Sequence, residues 1–231
     1  MEAASLAGHL GLEKLVLLYD DNRITIEGGT DLAFSDDVPA RFGAMGWRVL
    51  RVEDSEDVAA LRAAFDEARR PGGQPTLIAC RTIIGFPAPT KGGTHNAHGA
   101  PLGEEEIKAT KRILGWDPEK TFFVPEEART AWSQCRTRGE SAQGEWKARF
   151  EAYRAAFPEL AAEFEAFLSG ALPKGWEQAL PVFKAGEKAA TREASGKVLN
   201  AAASAIPNLI GGSADLAPSN NTHLKDGGDF S

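Results

Sequence analysis

The sequence predicts an α/β fold in which helices flank a parallel sheet, and three observations support this class. Short apolar runs typical of buried strands cover residues 14–19, 47–52 and 76–81. Helical segments lie between these runs, as in βαβ units with parallel strands and right-handed crossovers. The chain has 231 residues, of which 42% are hydrophobic, so it can bury a sizeable core.

Helices are predicted before and between these strands. The chain opens on a helix of small and apolar residues at 2–11, and a short helix covers residues 36–45. The helix at residues 55–70 is amphipathic, because four apolar side chains share one face: Val58, Leu61, Phe65 and Ala68. Asp54 or Ser55 is the candidate cap for the free N–H groups at its start.

The second half of the chain has a different composition. Residues 125–170 carry aromatic side chains at a spacing that predicts packing between two helices, and Pro158 is the expected start of the second. A linker with several Pro and Gly residues follows at 169–190. A helix is then predicted at 191–206 and a short strand at 208–211, so a second α/β domain begins near the end of the sequence.

Composition argues against several functional classes. The net charge is −7 and no Lys/Arg cluster stands out, which disfavours a nucleic-acid partner or an anionic membrane surface. Cys80 and Cys135 form neither a disulfide framework nor a zinc-binding spacing, and they suit a reducing compartment. No apolar stretch approaches the roughly 20 residues of a membrane span, and no signal peptide is evident. We therefore expect a cytoplasmic protein.

Three polar residues, Asp20, Asp21 and Asn22, directly follow the first apolar run. One interpretation is a turn at the end of the strand, since Asp and Asn side chains bond to their own backbone. The other is a site for a hard cation such as Mg²⁺, which prefers oxygen ligands. An Asn amide oxygen and a backbone carbonyl two residues later would suit a metal that holds a diphosphate.

Other candidate residues lie in loops and at a helix start. His95 and His98, in a Gly-rich loop, are either solvated structural residues or groups for proton transfer or phosphate contact, since imidazole titrates near neutrality. Arg192 begins a predicted helix, and Ser219 lies in a loop rich in Gly, Ser and Asn. Both are either ordinary surface residues or phosphate ligands, because guanidinium and free N–H groups suit phosphate oxygens.

Eight segments, taken in order over almost the whole chain, resemble transketolases and, more loosely, dihydroxyacetone synthases. They are EAASLAGHLGLEKLVLLYDDNRITIEG, FSDDVPARFGAMGWRVLRVED, PTLIACRTIIGF, AHGAPLG, LGWDPEKTFFVPEE, LSGALPKGWEQALP, ATREASGKVLN and LIGGSADLAPSNNT. The resemblance implies an incomplete thiamine-diphosphate-binding fold. Residues 1–120 would be the C-terminal part of the diphosphate-binding domain, residues 121–186 a helical and linker segment, and residues 187–231 the truncated start of the pyrimidine-binding domain.

The resemblance also implies an activity. Transketolases bind thiamine diphosphate through Mg²⁺ or Ca²⁺ and act as homodimers in the pentose phosphate pathway and the Calvin cycle. They transfer a two-carbon ketol unit from a ketose phosphate, such as xylulose 5-phosphate, to an aldose phosphate, such as ribose 5-phosphate. The expected cofactors are therefore thiamine diphosphate and a divalent cation, and the expected small-molecule partners are sugar phosphates.

The resemblance places family roles on the metal and cofactor residues of this sequence. Asn22 and the backbone carbonyl of Ile24 correspond to metal ligands. Ile26 and Ile84 correspond to residues that line the cofactor pocket. Asp215 corresponds to an acidic residue close to the thiazolium ring.

Four further residues take roles in catalysis, substrate binding and assembly by the same resemblance. His98 corresponds to the catalytic histidine near the cofactor diphosphate and the reacting substrate atoms. Arg192 and Ser219 correspond to residues that grip the sugar phosphate. Glu2 corresponds to a carboxylate at the subunit interface.

Several family features are not found in these residues. The Gly-Asp-Gly metal-binding segment would lie just before Glu2, and the Glu that activates the cofactor would belong to the rest of the second domain. We therefore expect an internal fragment, or one chain of a split transketolase or dihydroxyacetone synthase, that is inactive when isolated. The alternative hypothesis is a non-catalytic module that binds only a partner chain.

Overall fold

The computed structural model describes residues 1–213 and 216–229, and the chain divides into two compact units. The first unit is Met1–Phe123 and the second is Val124–Ser231. Within the described ranges, no helix has both the length and the apolar character needed to cross a membrane.

A three-stranded parallel sheet forms the centre of the first unit and confirms the predicted α/β class. The strands are β1 (Val16–Asp21), β2 (Arg48–Val52) and β3 (Thr76–Arg81), in the order β1–β3–β2. β1 extends further than predicted, because Asp20 and Asp21 pair with residues of β3. These two residues therefore belong to the strand itself rather than to the turn that follows it.

Helices cover both faces of this sheet. Leu77 and Ile78 are neighbours on β3 and both are fully buried, so their side chains point to opposite faces. On the side of Leu77 lie α1 (Glu2–His9) and α2 (Val38–Ala44), and on the side of Ile78 lies α3 (Val58–Ala68). The burial of apolar side chains on both faces explains why β3 is a continuous apolar run in the sequence.

Trp47 connects α1 to the core on the Leu77 side of the sheet. The Trp47 ring meets the Phe42 ring edge to face, with 5.0 Å between the centroids. The indole N–H of Trp47 donates a hydrogen bond to the Ala4 carbonyl at 2.8 Å. A large apolar ring is thereby buried with its one polar group satisfied.

The start of α3 differs from the prediction. The helix begins at Val58, and its N-cap is Asp57, whose carboxylate accepts a hydrogen bond from the Ala60 N–H at 2.9 Å. The predicted caps Asp54 and Ser55 are wrong, because Asp54 instead accepts from the Glu56 N–H at 2.9 Å in a turn before the helix. Local bonding of an Asp to the backbone two residues later competes with capping.

A long loop follows β3 and leads to α4 (Glu104–Ile113), a helix that the sequence pattern did not predict. Three glutamates open α4, where negative charge favours the start of a helix, and Lys111 and Arg112 lie in its last turn.

The second unit is helical in its described residues. Its main helices are α5 (Glu126–Ala156), α6 (Pro158–Ser169) and α7 (Thr191–Ala205), followed by the short α8 (Ala217–Asn220). The predicted helix start at Pro158 is confirmed. The predicted strand at 208–211 is wrong, because no strand lies in the described part of this unit to pair with it.

The predicted packing between the first two of these helices is confirmed by ring contacts. The Phe150 ring on α5 lies 5.5 Å from the Phe164 ring on α6, measured between centroids. Arg154 of α5 also forms an ion pair with Glu165 of α6. The aromatic spacing in the sequence therefore reflects helix packing.

Candidate functional site

The carboxyl ends of β1 and β3 bring two candidate segments to the same edge of the sheet. Asp21, the last residue of β1, lies opposite Arg81, the last residue of β3. The Asp21 carbonyl accepts hydrogen bonds from the Thr82 N–H at 3.3 Å and from the Arg81 guanidinium at 2.6 Å. The segments that contain Asn22 and Ile84 therefore leave the sheet side by side, at the edge where α/β proteins bind ligands.

Asn22 begins a tight turn after β1. Its side-chain oxygen accepts a hydrogen bond from the Ile24 N–H at 2.9 Å. Arg23, between them, has a φ of 56°, a left-handed conformation that is uncommon for a residue other than glycine. Ile24 then forms an isolated antiparallel bridge with Gly29. The predicted turn is confirmed for Asn22, and it holds the Asn22 amide and the Ile24 backbone in a fixed arrangement.

The oxygens of this turn suit a hard cation. The Asn22 amide oxygen can accept a second interaction besides its bond to Ile24. No hydrogen bond between described residues uses the Ile24 carbonyl. Mg²⁺ and Ca²⁺ bind such amide and carbonyl oxygens. The described ranges contain no group of three or more His, Cys, Asp or Glu able to hold a metal.

The two carboxylates before Asn22 are engaged at the strand ends. The Asp20 carboxylate accepts a short hydrogen bond from the Thr82 hydroxyl, which joins β1 to the residue after β3. The Asp21 carboxylate lies 3.4 Å from Nε of Arg23. Burial, with a smaller contribution from the charges of Asp21 and Asp20, raises the pKa of Tyr19. The Asp20 carboxylate thus joins the ends of two strands, and the Asp21 carboxylate contacts the turn that follows β1.

A groove of about 370 Å³ opens at this edge beside α2. Its charged side chains are largely paired with one another: Arg23 with Asp21, and Arg51 with Asp37 at 3.9 Å. Those predicted cofactor and metal residues that the structure describes lie outside its lining. The groove therefore borders the turn after β1 through Arg23, while Asn22 and Ile24 do not line it.

The loop after β3 folds back on its own beginning. The Gly93 N–H donates to the Ile84 carbonyl at 2.8 Å. Gly85 has a φ of 69°, and a Cβ atom there would lie 2.9 Å from Cβ of Ala97. A glycine at residue 85 is thus required both by its backbone conformation and by this close approach.

His98 lies at the far end of this loop, directly after a short 3₁₀ helix, His95–Ala97. The His98 N–H donates to the His95 carbonyl at 3.0 Å. Both imidazoles are solvent-exposed, so they are accessible for hydrogen bonding and proton transfer.

Glu106 is a residue of this region that the sequence did not single out. Its carboxylate accepts three hydrogen bonds from the loop: from the Thr90 N–H at 2.7 Å, the Thr90 hydroxyl at 2.8 Å and the Lys91 N–H at 2.9 Å. The Thr90 N–H is the main cause of a lowered pKa for the Glu106 carboxyl, and the Lys91 N–H adds to it. The sequence signal was only a run of three glutamates, within which nothing distinguishes Glu106.

A comparison with protein-family models identifies the family of this chain. The family model for "Transketolase, thiamine diphosphate binding domain" matches residues 1–173. The chain therefore belongs to the transketolase family. This confirms the family predicted from the sequence, and the description of the matching domain agrees with the predicted cofactor.

Individual transketolases match along nearly the full chain. The chain is 48% identical to the transketolase of Geobacillus stearothermophilus over 230 residues, which is 99% of this chain and 34% of that enzyme. It is 46% identical to the chloroplastic transketolase of Spinacia oleracea over 231 residues, 99% of this chain and 31% of the other. The chain thus spans about a third of the length of these relatives.

Solved transketolase structures share the fold. The structure from Pichia stipitis in complex with sedoheptulose 7-phosphate gives a TM-score of 0.90 at 43% identity, covering 97% of this chain and 33% of that one. The transketolase from Leishmania mexicana gives 0.90 at 42% identity, covering 98% and 33%. These values confirm the predicted transketolase fold.

The other residues to which the resemblance to transketolases gives a role lie in separate parts of the sequence. Ile26, in the loop after β1, has 66% of its surface exposed. Glu2 is exposed in the first turn of α1. In the second unit, Arg192 is exposed in the first turn of α7 and Ser219 is exposed in α8. Asp215 lies outside the described residues. The roles of all these residues stay predictions.

Proposed function

We propose that this chain supplies the metal–diphosphate side of a transketolase that transfers a two-carbon ketol unit from a ketose phosphate to an aldose phosphate. The observation that carries the proposal is 48% identity to a transketolase over 99% of the chain. The substrate class follows from the Pichia stipitis structures, which are described with sedoheptulose 7-phosphate, xylulose 5-phosphate and fructose 6-phosphate. Xylulose 5-phosphate as donor and ribose 5-phosphate as acceptor are the proposed pair.

In this proposal the turn after β1 holds a divalent cation. The Asn22 amide oxygen and the Ile24 carbonyl would be its ligands from this chain, since Mg²⁺ and Ca²⁺ both prefer such oxygens. Thiamine diphosphate, when bound, supplies the electron sink for cleavage and formation of the carbon–carbon bond. Ile26 and Ile84 provide the apolar lining of the cofactor pocket, which accounts for large apolar side chains in loops.

His98 and two residues of the second unit act on the substrate in the same proposal. His98 donates or accepts protons at the reacting oxygen atoms, because an accessible imidazole can do both near neutral pH. Arg192 and Ser219 bind the sugar phosphate, since a guanidinium and a hydroxyl both suit phosphate oxygens. Binding energy from the remote phosphate then positions the reacting end. Asp215 completes the proposed set, near the thiazolium ring.

The assembly and cellular context belong to the same proposal. Glu2 lies at a homodimer interface, and the enzyme acts in the cytoplasm in the pentose phosphate pathway, or in the Calvin cycle. The division of the sequence into a diphosphate-binding part (1–120), a helical linker (121–186) and the start of a pyrimidine-binding domain (187–231) is also proposed. The family resemblance supports each of these points.

A chimeric enzyme tests the function directly. The matched third of the Geobacillus stearothermophilus transketolase is replaced by this chain, and ketol transfer from xylulose 5-phosphate to ribose 5-phosphate is measured. We expect transfer that requires thiamine diphosphate and is abolished by EDTA. Asn22→Ala should weaken Mg²⁺-dependent binding of thiamine diphosphate by about tenfold or more, as loss of support in a metal site usually does.

The control is Asn208→Ala, which changes an exposed asparagine in the second unit. This variant should retain the cofactor affinity of the parent chimera. A folded chimera that lacks ketol transfer would reject the proposed function and favour a module that only binds a partner. Equal cofactor affinity in the Asn22→Ala variant and the parent would reject the proposed metal ligand.

A further inference from the structure

We propose that Glu106 is a positioning residue that holds the loop after β3 and, through that loop, His98. The proposal rests on the proposed function, because His98 receives its catalytic role there. Glu106 belongs to α4, which follows this loop in the sequence, and it lies eight positions beyond His98. No hydrogen bond between described residues joins Glu106 to His98, so Glu106 acts on it through the loop.

The Glu106 carboxylate binds the middle of the loop at three points. One oxygen accepts the N–H groups of both Thr90 and Lys91, at 2.7 and 2.9 Å, and the other accepts the Thr90 hydroxyl at 2.8 Å. Hydrogen bonds to an ionised carboxylate are shorter and stronger than those between neutral groups. A single half-buried side chain therefore fixes two consecutive backbone N–H groups of a loop that has no strand or α-helix of its own.

A chain of hydrogen bonds leads from this point to His98. The Lys91 carbonyl accepts the Thr94 N–H at 3.2 Å and the Thr94 hydroxyl at 2.8 Å. The Thr94 carbonyl accepts the Ala97 N–H at 3.1 Å, and the His95 carbonyl accepts the His98 N–H at 3.0 Å. Each step links neighbouring turns, so a shift at Lys91 is carried into the 3₁₀ helix before His98.

Two further contacts fix the ends of the same segment. The Gly93 N–H binds the Ile84 carbonyl at 2.8 Å, which fastens the loop to the residues after β3. The Lys91 ammonium donates to the Pro101 carbonyl at 3.2 Å, which closes the segment that contains His98. The Lys91 ammonium thus binds the end of the segment at Pro101, and the Glu106 carboxylate binds the Lys91 N–H. The orientation of the His98 backbone depends on this arrangement.

Hydrogen exchange in the chain itself tests the positioning role without an activity assay. Glu106→Gln keeps one accepting oxygen and loses the charge, so it should loosen the loop and leave the sheet intact. We expect the amides of residues 90–98 to exchange about tenfold faster, with unchanged exchange in β3. Glu105→Gln is the matched control, because the carboxylate of the neighbouring Glu105 makes no hydrogen bond within the described residues. It should exchange like the parent.

A second variant covers the case in which Glu106→Gln does not fold. Thr90→Val removes only the hydroxyl bond to Glu106 and keeps both N–H bonds. It should accelerate exchange over the same residues to a smaller degree. Unchanged exchange across residues 90–98 in a folded variant of Glu106 would overturn the proposal, whatever the activity.

The link to His98 is tested with a double-mutant cycle in the chimeric enzyme. Glu106→Gln should lower kcat about tenfold with little change in KM, and it should have no further effect in a His98→Ala background. A purely structural role would give the same loss in both backgrounds, and that additivity would overturn the proposal. If the parent chimera lacks ketol transfer, the proposed function has failed, and hydrogen exchange alone decides the positioning role.

Discussion

The side-chain oxygen of Asn22 accepts a hydrogen bond from the Ile24 N–H at 2.9 Å, across an arginine in the left-handed conformation. This bond closes the turn that follows β1. It gives one residue two separable roles, because the same amide oxygen that stabilises the turn is the proposed ligand of a cation. The two roles can be distinguished by substitutions that keep or remove an oxygen at residue 22.

Replacement of Asn22 should destabilise the turn when the oxygen is lost. Asn22→Ala removes the acceptor for the Ile24 N–H and should lower the free energy of unfolding by about 1 kcal/mol. Asn22→Asp keeps an acceptor and should cost less. Urea denaturation of the chain measures both, with Asn208→Ala as the control. Equal stability of the Ala and Asp variants would show that the hydrogen bond contributes nothing to the fold.

The sheet could be predicted from the sequence because its signal is local. The buried strand β3 is a run of apolar residues, and its predicted bounds are those observed, Thr76–Arg81. The end of β1 could not be predicted, because Asp20 and Asp21 are polar and join the strand only through pairing with β3. The two strands lie sixty residues apart in the chain, so the local pattern of apolar residues does not indicate that they pair.

Prediction of the candidate site from the sequence is limited in the same way. Asn22 and His98 could be named as candidates from the sequence because loop residues with metal-binding or proton-transfer chemistry are few and follow strands. Glu106 and Thr82 were missed, because each acts through a partner that only the folded chain brings near. The cap of α3 was placed too early for a related reason. Asp54 and Asp57 are both competent caps, and the local turn at Asp54 decides between them.

Gly8 in α1 should tolerate no side chain. A Cβ atom at residue 8 would overlap the carbonyl oxygen of Met45, which belongs to the backbone and cannot move as a flexible side chain does. Gly8→Ala should therefore destabilise the chain by roughly 2 kcal/mol or more, as overpacking usually does. The measurement is the urea midpoint at constant m-value.

Gly43 in α2 provides the matched control for Gly8. A Cβ atom at residue 43 would meet nothing within 4 Å. Because alanine favours a helix over glycine, Gly43→Ala should leave stability unchanged or raise it by up to about 1 kcal/mol. A Gly8→Ala variant as stable as Gly43→Ala would show that α1 does not pack against the turn at Met45 in solution.

Arg48 should contribute to stability through the end of α3. Its Nη2 donates to the carbonyls of Ala68 and Arg70, both at 3.1 Å, and its Nε donates to the Thr76 hydroxyl at 3.1 Å. Arg48→Met would leave the fully buried Thr76 hydroxyl and the carbonyls at the helix end without these donors. We expect a loss of about 2 kcal/mol, the usual range for hydrogen bonds to a charged group.

The control for Arg48 is Arg62→Met on α3. Arg62 is exposed, and its guanidinium forms no ion pair or hydrogen bond with the described part of the chain. Its replacement should change the free energy of unfolding by less than about 0.5 kcal/mol. Thermal and urea unfolding give the comparison, and a similar loss in both variants would point to charge rather than to the specific bonds of Arg48.

The contribution of Glu106 to stability should depend on pH in a defined direction. The Thr90 N–H, with the Lys91 N–H and the Thr90 hydroxyl, lowers the pKa of the Glu106 carboxyl in the folded chain. A carboxyl whose pKa is lower in the folded chain than in the unfolded chain stabilises the fold when the pH is above its unfolded pKa, about 4.3. This stabilisation is lost as the pH falls through the pKa of the folded chain. The stability difference between the parent and Glu106→Gln should thus be constant from about pH 6 to 7 and shrink below about pH 5. Urea denaturation at several pH values measures it, and Glu105→Gln reports the effect of losing one negative charge on the same helix. A difference that stays constant down to about pH 3 would mean that the carboxylate does not hold Thr90 and Lys91 in solution.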